Sequence, residues 1–283
     1  MEELILIDPG YKNPVPIARF DLFYNDDYKF CELNGDGTSA MNETNTLEQI
    51  FTESEIIKEL RKDYKISYHE LFLSWLKQLL NIYKEFGGTE KPNIAISDFM
   101  GLGSNEEFDT FKEVFEKQGY KTVICDPRDV KYQDGKLCVD DIRIDLIYRR
   151  AVNKEVELRI DEVSDFLQAY KEKAVCVVGP FRSQIMHNKI FFEILSSEDK
   201  TKFLNTDERD FIIKHIPKTY TLDKKTLPTA IENKDKYLIK PKDYYAGKGV
   251  VCGLDRNDGN WENELNDAIE KGGFLLQEFC NFT

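Results

Sequence analysis

Asp21, Glu32 and Asn34 are the residues whose types and spacing could do chemistry together. They fall in IARFDLFYNDDYKFCELN, residues 17–34, which reads as two strands around the polar turn Asn25-Asp26-Asp27. A two-residue turn at Asp26-Asp27 sets Asp21 opposite Glu32. Arg19 then shares a face with Asp21, and Asn34 with Glu32, while Phe20, Leu22, Cys31 and Leu33 point to the other side. Cross-strand neighbours have Cβ atoms about 5 Å apart, so two carboxylates placed there repel unless positive charge lies between them. A divalent cation answers that need. Two carboxylates beside an amide suit Mg²⁺ or Mn²⁺, and Mg²⁺ completes its shell with phosphate oxygens and water. The alternative is a solvated strand face on which Arg19 and Lys29 soften the repulsion.

The elements that must hold this hairpin follow from periodicity. Thr52-x-x-Glu55 and Ser67-x-x-Glu70 have the capping-box form. The second opens a helix with Leu71, Phe72, Trp75, Leu76, Leu79, Leu80 and Tyr83 on one stripe, stopped by Gly87-Gly88. That stripe reads as core packing. After Pro92 come a strand (NIAIS), a helix over 104–118 with a Ser104-x-x-Glu107 box, and a strand (TVIC), the pattern of a βαβ unit. Asp134-Gly135 marks a hairpin, and IDLIYRR adds another apolar strand, so residues 92–180 read as an α/β domain. GLGS at 101–104 lacks the third glycine of a dinucleotide fingerprint and reads as the start of the helix. Beyond Phe181 the pattern predicts helices over 183–195, 207–214 and 261–271, with strands at KYLIKP, GKGVVCG and GFLLQEF.

Composition narrows the function classes. The chain has 283 residues, 39 Lys and Arg against 52 Asp and Glu, and a formal net charge of −13, which disfavours a nucleic-acid partner. No apolar run is long enough for a membrane span, and no export signal opens the chain, so a cytoplasmic protein is expected. The six cysteines form no C-x-x-C pair and read as buried, reduced thiols.

R-x-D, a turn, then E-x-N, here Arg19-Phe-Asp21 and Glu32-Leu-Asn34, resembles the metal-binding strands of the ATP-grasp superfamily. Asn188-Lys189, IPKTYTL at 216–222, IKP at 239–241, AGKGV at 246–250 and LLQEF at 275–279 resemble the nucleotide half of the same fold. Their order is inverted, the metal strands coming first, so the chain resembles the circularly permuted branch that includes glutathionylspermidine synthase-like carboxylate–amine ligases. ELNGDGTSAMNE at 32–43 and DGKLCVDDIRIDLIYRR at 134–150 strengthen that match.

The resemblance implies an α/β (α+β) ATP-grasp fold. Residues 1–90 would carry the metal-binding half plus helices, 91–180 an inserted Rossmann-like pre-ATP-grasp domain, and 181–283 the nucleotide-binding half. It implies that Lys189 and Lys240 meet the α- and β-phosphates of ATP, that Gly247, Lys248 and Gly249 cover them, and that Gln277, Glu278 and Phe279 form the adenine and ribose hinge. Asp21, Glu32 and Asn34 would hold Mg²⁺ or Mn²⁺. Arg19 would assist at the reacting charge. Arg149 and Arg150 are candidate anchors for a substrate carboxylate, the alternative being a solvated strand end after an apolar strand. The implied partners are a small-molecule or peptide carboxylate and an amine. The family's sheet continues past its hinge, so a C-terminal extension or partner chain is expected beyond Thr283. The rival readings are a non-catalytic nucleotide-binding or scaffold subunit and a small-molecule kinase.

Overall fold

The computed structural model describes residues 1–103, 105–244 and 247–280. An antiparallel hairpin comes first, β1 (Arg19–Tyr24) and β2 (Tyr28–Asn34). Then follow β3 (Ile94–Ser97), β4 (Thr122–Cys125), β5 (Val130–Gln133), β6 (Lys136–Val139), β7 (Ile142–Ile144), β8 (Leu146–Arg149) and β9 (Cys176–Val178). The last strands are β10 (Thr219–Thr221), β11 (Tyr237–Pro241), β12 (Val251–Cys252) and β13 (Phe274–Glu278). Among the described residues no helix is long and apolar enough to cross a membrane.

The chain divides into two compact units, one of residues 1–18 and 35–184, the other of 19–34 and 185–283. The division departs from three consecutive domains. Residues 35–90 pack with the α/β sheet rather than with the hairpin, because the helix Leu71–Phe86 buries Phe72, Trp75 and Leu79 against Ile94, Ile96 and Phe111 of that unit.

In the first unit β4, β3, β8 and β9 form a parallel sheet in that order. Its strands are apolar almost throughout because both faces are covered. Ala95, Ile147 and Val177 face one core with Phe166 and Tyr170, while Ile94, Ile96, Leu146 and Tyr148 face the other. β5, β6 and β7 make a separate meander turning at Asp134 and Gly135, both with positive φ. Two expected caps move. Ser54, not Thr52, caps the helix Glu55–Leu60, and Glu70, not Ser67, caps Leu71–Phe86 by accepting from the Phe72 and Leu73 amides. Ser104 lies outside the described residues, and the helix is described from Asn105 to Lys117.

The second unit holds the antiparallel sheet β10-β13-β11-β12. Ile239 and Leu276 pack one face of it against Trp261, Leu265 and Ala268 of the helix Asp258–Lys271. Of the six cysteines, all unbridged, only Cys125 and Cys176 are buried, which narrows the expectation of buried thiols.

Candidate nucleotide site

The hairpin pairs Asp21 with Glu32 and Arg19 with Asn34, but by a different route from a two-residue turn. The turn takes in Asn25, Asp26 and Asp27, so Tyr24 pairs with Tyr28 and Leu22 with Phe30. A bulge then leaves Cys31 extra and restores the Asp21–Glu32 register. Cys31 does not share the face of Phe20 and Leu33 as the strict alternation required. It lines one cavity with Glu32, whereas Phe20, Phe30 and Leu33 line a separate apolar groove.

The side chains of this face are knitted together. Asn34 Nδ2 donates to Asp21 Oδ2 at 3.3 Å and Glu32 Oε1 at 3.4 Å, bridging the two carboxylates. Arg19 Nε and Nη2 donate to the two Asp21 oxygens at 2.7 and 3.1 Å. Lys189 Nζ lies 3.2 Å from Glu32 Oε2 and donates to the Tyr244 carbonyl at 2.7 Å. Repulsion between the carboxylates is therefore relieved by Arg19 and Lys189.

Strand alternation delivers the second lysine. In β11, Tyr237 and Ile239 enter the core, which turns Leu238 and Lys240 to the cavity. Lys240 is 5% exposed, and its Nζ donates to the Cys31 carbonyl at 3.2 Å above the Phe192 ring. Burial pulls the Lys240 ammonium below its ordinary value of 10.5, and the charge of Lys189 acts in the same direction. A cationic group that water no longer solvates, facing a cavity, is a receptor for anionic oxygens.

The cavity is about 350 Å³ and is lined by both lysines, Glu32, Gly247, Lys248 and the segment Gln277 to Cys280. Gln277 is buried and donates to Thr219 Oγ1 at 2.8 Å; Glu278 accepts from the Lys218 amide at 3.1 Å; the Phe279 amide donates to the Lys236 carbonyl at 2.8 Å. Gly249 has φ +73°, and a Cβ there would come 2.8 Å from Pro241 Cγ, so the loop closes onto the end of β11 only through a glycine. Ala246 of the AGKGV loop lies outside the described residues. Sequence reasoning missed Cys31, Phe23, Tyr244 and Cys280 in this lining. The first depends on a bulge, and Tyr244 contributes a backbone carbonyl that no side-chain pattern announces.

Whether this face suits a metal is decided by its donors. Two carboxylates fit Mg²⁺, which takes one or two of them and keeps water and phosphate ligands, and Asn34, whose Nδ2 bridges them here, would offer its oxygen only after its amide turns over. Among the described residues no three His, Cys, Asp or Glu side chains form a metal-holding group, so an ion here would need Asn34, water and phosphate as well.

Comparison with solved structures bears on the fold. A glutathione synthetase-like effector from Globodera pallida, in its apo form, superposes with a TM-score of 0.65 at 12% identity, over 94% of this chain and 60% of that one. The fold is ATP-grasp. An ATP-grasp ligase solved with a precursor variant, Mg and ADP matches at 15% identity and TM-score 0.39, over 69% of this chain and 67% of that one. The D-alanyl-alanine synthetase A of Vibrio cholerae matches at 14% identity and TM-score 0.41, over 68% and 61% of the two chains. No family model matches the sequence, nor does any curated protein. The chain spans 60% of the effector's length.

Within the ATP-grasp fold, Arg149 and Arg150 are neither substrate anchors at the surface nor a solvated strand end. Arg149 Nη2 pairs with Asp36 at 2.6 Å, and Arg150 Nη1 with Glu107 at 2.6 Å, all four side chains being buried. Asp36 Oδ2 also accepts from the Asn153 amide at 2.6 Å, and Glu107 Oε1 from the Met41 amide at 2.8 Å, so these pairs tie loops to the sheet. Gly103 of the GLGS loop packs against Asp98. Burial raises the Asp98 carboxyl to about 6, and a carboxylate at that position repels phosphate.

Proposed function

We propose that this chain carries the nucleotide and metal sites of an ATP- and Mg²⁺-dependent carboxylate–amine ligase. The observation that carries the reading is the convergence, in one cavity, of buried Lys240, Lys189 and the Glu32 carboxylate, drawn from the two ends of the second unit. Lys189 and Lys240 would hold the phosphates of ATP, the strand end Gln277–Phe279 would meet the adenosine, and Gly247 and Lys248 would cover the triphosphate. Asp21, Glu32 and Asn34 would hold Mg²⁺, whose charge offsets that of the phosphates. With the phosphates held, a substrate carboxylate oxygen attacks the γ-phosphorus and ADP leaves. An amine then attacks the acyl carbon and inorganic phosphate departs. Arg19, in reach of the same face through Asp21, offsets the charge that builds on the transferred group.

The test is isotopic. With an ¹⁸O-labelled carboxylate, ATP, Mg²⁺ and an amine, one labelled oxygen should appear in the released phosphate, and phosphate should form only when acid and amine are both present. Unlabelled phosphate from an amine-dependent reaction rules the acyl phosphate out, and a stable phosphoester identifies a kinase. A second reading, a nucleotide-binding subunit without turnover, is favoured by one feature: Arg19 and Lys189 already neutralise the two carboxylates. Nucleotide binding indifferent to Mg²⁺, with no turnover of any acid and amine, would select it.

A further inference from the structure

The helices Met41–Glu53 and Glu55–Leu60 belong to the first unit and have no part in the nucleotide cavity. The first is amphipathic in the wrong sense. Its buried residues are the polar Asn45 and Thr52, while Leu47, Ile50 and Phe51, one stripe at helical spacing, are 52, 61 and 62% exposed. A helix that only roofs its own core turns such a stripe inward. Two of its inward polar groups are used locally: Asn45 Oδ1 accepts from the Leu71 amide at 3.0 Å, and Thr52 Oγ1 donates to the Glu48 carbonyl, while one Glu48 carboxylate oxygen is buried as well. The second helix buries no residue at all, and leaves Ile56 73% and Leu60 40% exposed.

We propose that this outward face is an interface with a second copy of the chain. Two observations choose that occupant. The first is area: five large apolar side chains, each about half exposed, with Tyr64 beyond them, present on the order of 500 Å² of apolar surface. With a polar rim this approaches the roughly 800 Å² per partner of a stable complex, and it stands toward the upper end of the about 300–600 Å² of the largest apolar patch on a single chain. The second is charge. Residues 41–57 carry the exposed Glu43, Glu53 and Glu55 and no basic residue, whereas Lys58, Arg61, Lys62 and Lys65 outnumber Glu59 and Asp63 in the next turns. A two-fold interface sets a surface against its own reverse, so the acidic stretch of one copy meets the basic stretch of the other around the apolar stripe. The present partners of Lys58 and Lys62, Glu55 and Glu59, are exposed neighbours along the helix, and such pairs exchange at little cost.

Sedimentation equilibrium of the whole chain tests this. The expected mass is twice 33.1 kDa. Ile50→Glu combined with Ile56→Glu should raise the dissociation constant at least ~30-fold. Both positions are exposed, so the melting temperature measured below that constant should be unchanged. Glu53→Lys should weaken association, and adding Lys62→Glu should restore it. A single-chain mass for the unmodified chain up to about 100 µM leaves the face to another partner and overturns the proposal. A dimer indifferent to the two isoleucine substitutions, or to the charge exchange, overturns it as well.

Discussion

The ammonium of Lys189 stands 3.2 Å from the carboxylate of Glu32, although the α/β unit of residues 35–184 lies between them in sequence. Lys189 is held there from both sides. Its amide donates to the Lys242 carbonyl at 2.9 Å and its side chain to the Tyr244 carbonyl at 2.7 Å. In the proposed function the same carboxylate, which here pairs with a lysine, would become available to a metal once phosphate took the lysine over.

That exchange makes Glu32→Gln informative. Glutamine keeps a hydrogen-bond acceptor for Lys189, so thermal unfolding should show a loss of only about 1 kcal/mol. Mg²⁺-dependent nucleotide binding, followed by titration calorimetry with and without the metal, should be lost. Asp21→Asn should behave alike, with Arg19 freed from its carboxylate. Undiminished Mg²⁺ dependence in both variants would move the metal elsewhere.

Lys240 should discriminate between ligands with and without phosphate. Lys240→Met preserves the aliphatic stem over Phe192 and removes the charge. ATP affinity should fall about 10- to 100-fold, the range for a charged hydrogen bond, while adenosine affinity stays within about twofold. Equal losses for both ligands would make Lys240 structural.

The same residue predicts a proton signature. Burial lowers the folded-state value of Lys240 below the unfolded 10.5. Between those values the unfolded chain binds more protons, so this group's contribution to stability rises with pH through that window. Phosphate beside the amine restores its charge. ATP binding should therefore take up protons as pH approaches 10.5 from below, seen as a buffer-dependent binding enthalpy and absent from Lys240→Met.

Gly247 and Gly249 offer a matched pair. Both have positive φ, +68° and +73°, but a Cβ at Gly247 meets nothing within 4 Å, whereas one at Gly249 meets Pro241. Gly247→Ala should cost about 1 kcal/mol from the left-handed backbone alone, and Gly249→Ala more by the repacking of Pro241. Urea denaturation measures both, and equal costs would exclude the loop-to-strand contact.

Asp36→Ala should destabilise far more than any change in the nucleotide cavity, by about 3–5 kcal/mol, because it strands the buried Arg149 guanidinium. Nucleotide affinity of the folded fraction should be unaltered.

The sequence by itself determined the local periodicities. Alternation in β3, β8 and β11, the stripe from Phe72 to Leu79, the Asp134-Gly135 hairpin and the strands around Asn25–Asp27 were all legible, since each depends on residues a few positions apart. The order of short motifs, Asp21 and Glu32 before Lys189 and Lys240, pointed to an ATP-grasp arrangement in permuted order, and the chain has the ATP-grasp fold. What only the tertiary structure decided was the partner of each charge. Arg149 and Arg150 resembled any basic strand end until folding set Asp36 and Glu107 against them, and nothing local encodes a pairing across more than a hundred or some forty residues. Cys31 entered the cavity because one bulge offsets one extra turn residue, two local irregularities that cancel in register yet change which side chains face the site. The outward apolar stripe of Leu47, Ile50 and Phe51 is likewise plain as a helical pattern. Its exposure is not, because burial is a property of what else the chain places there.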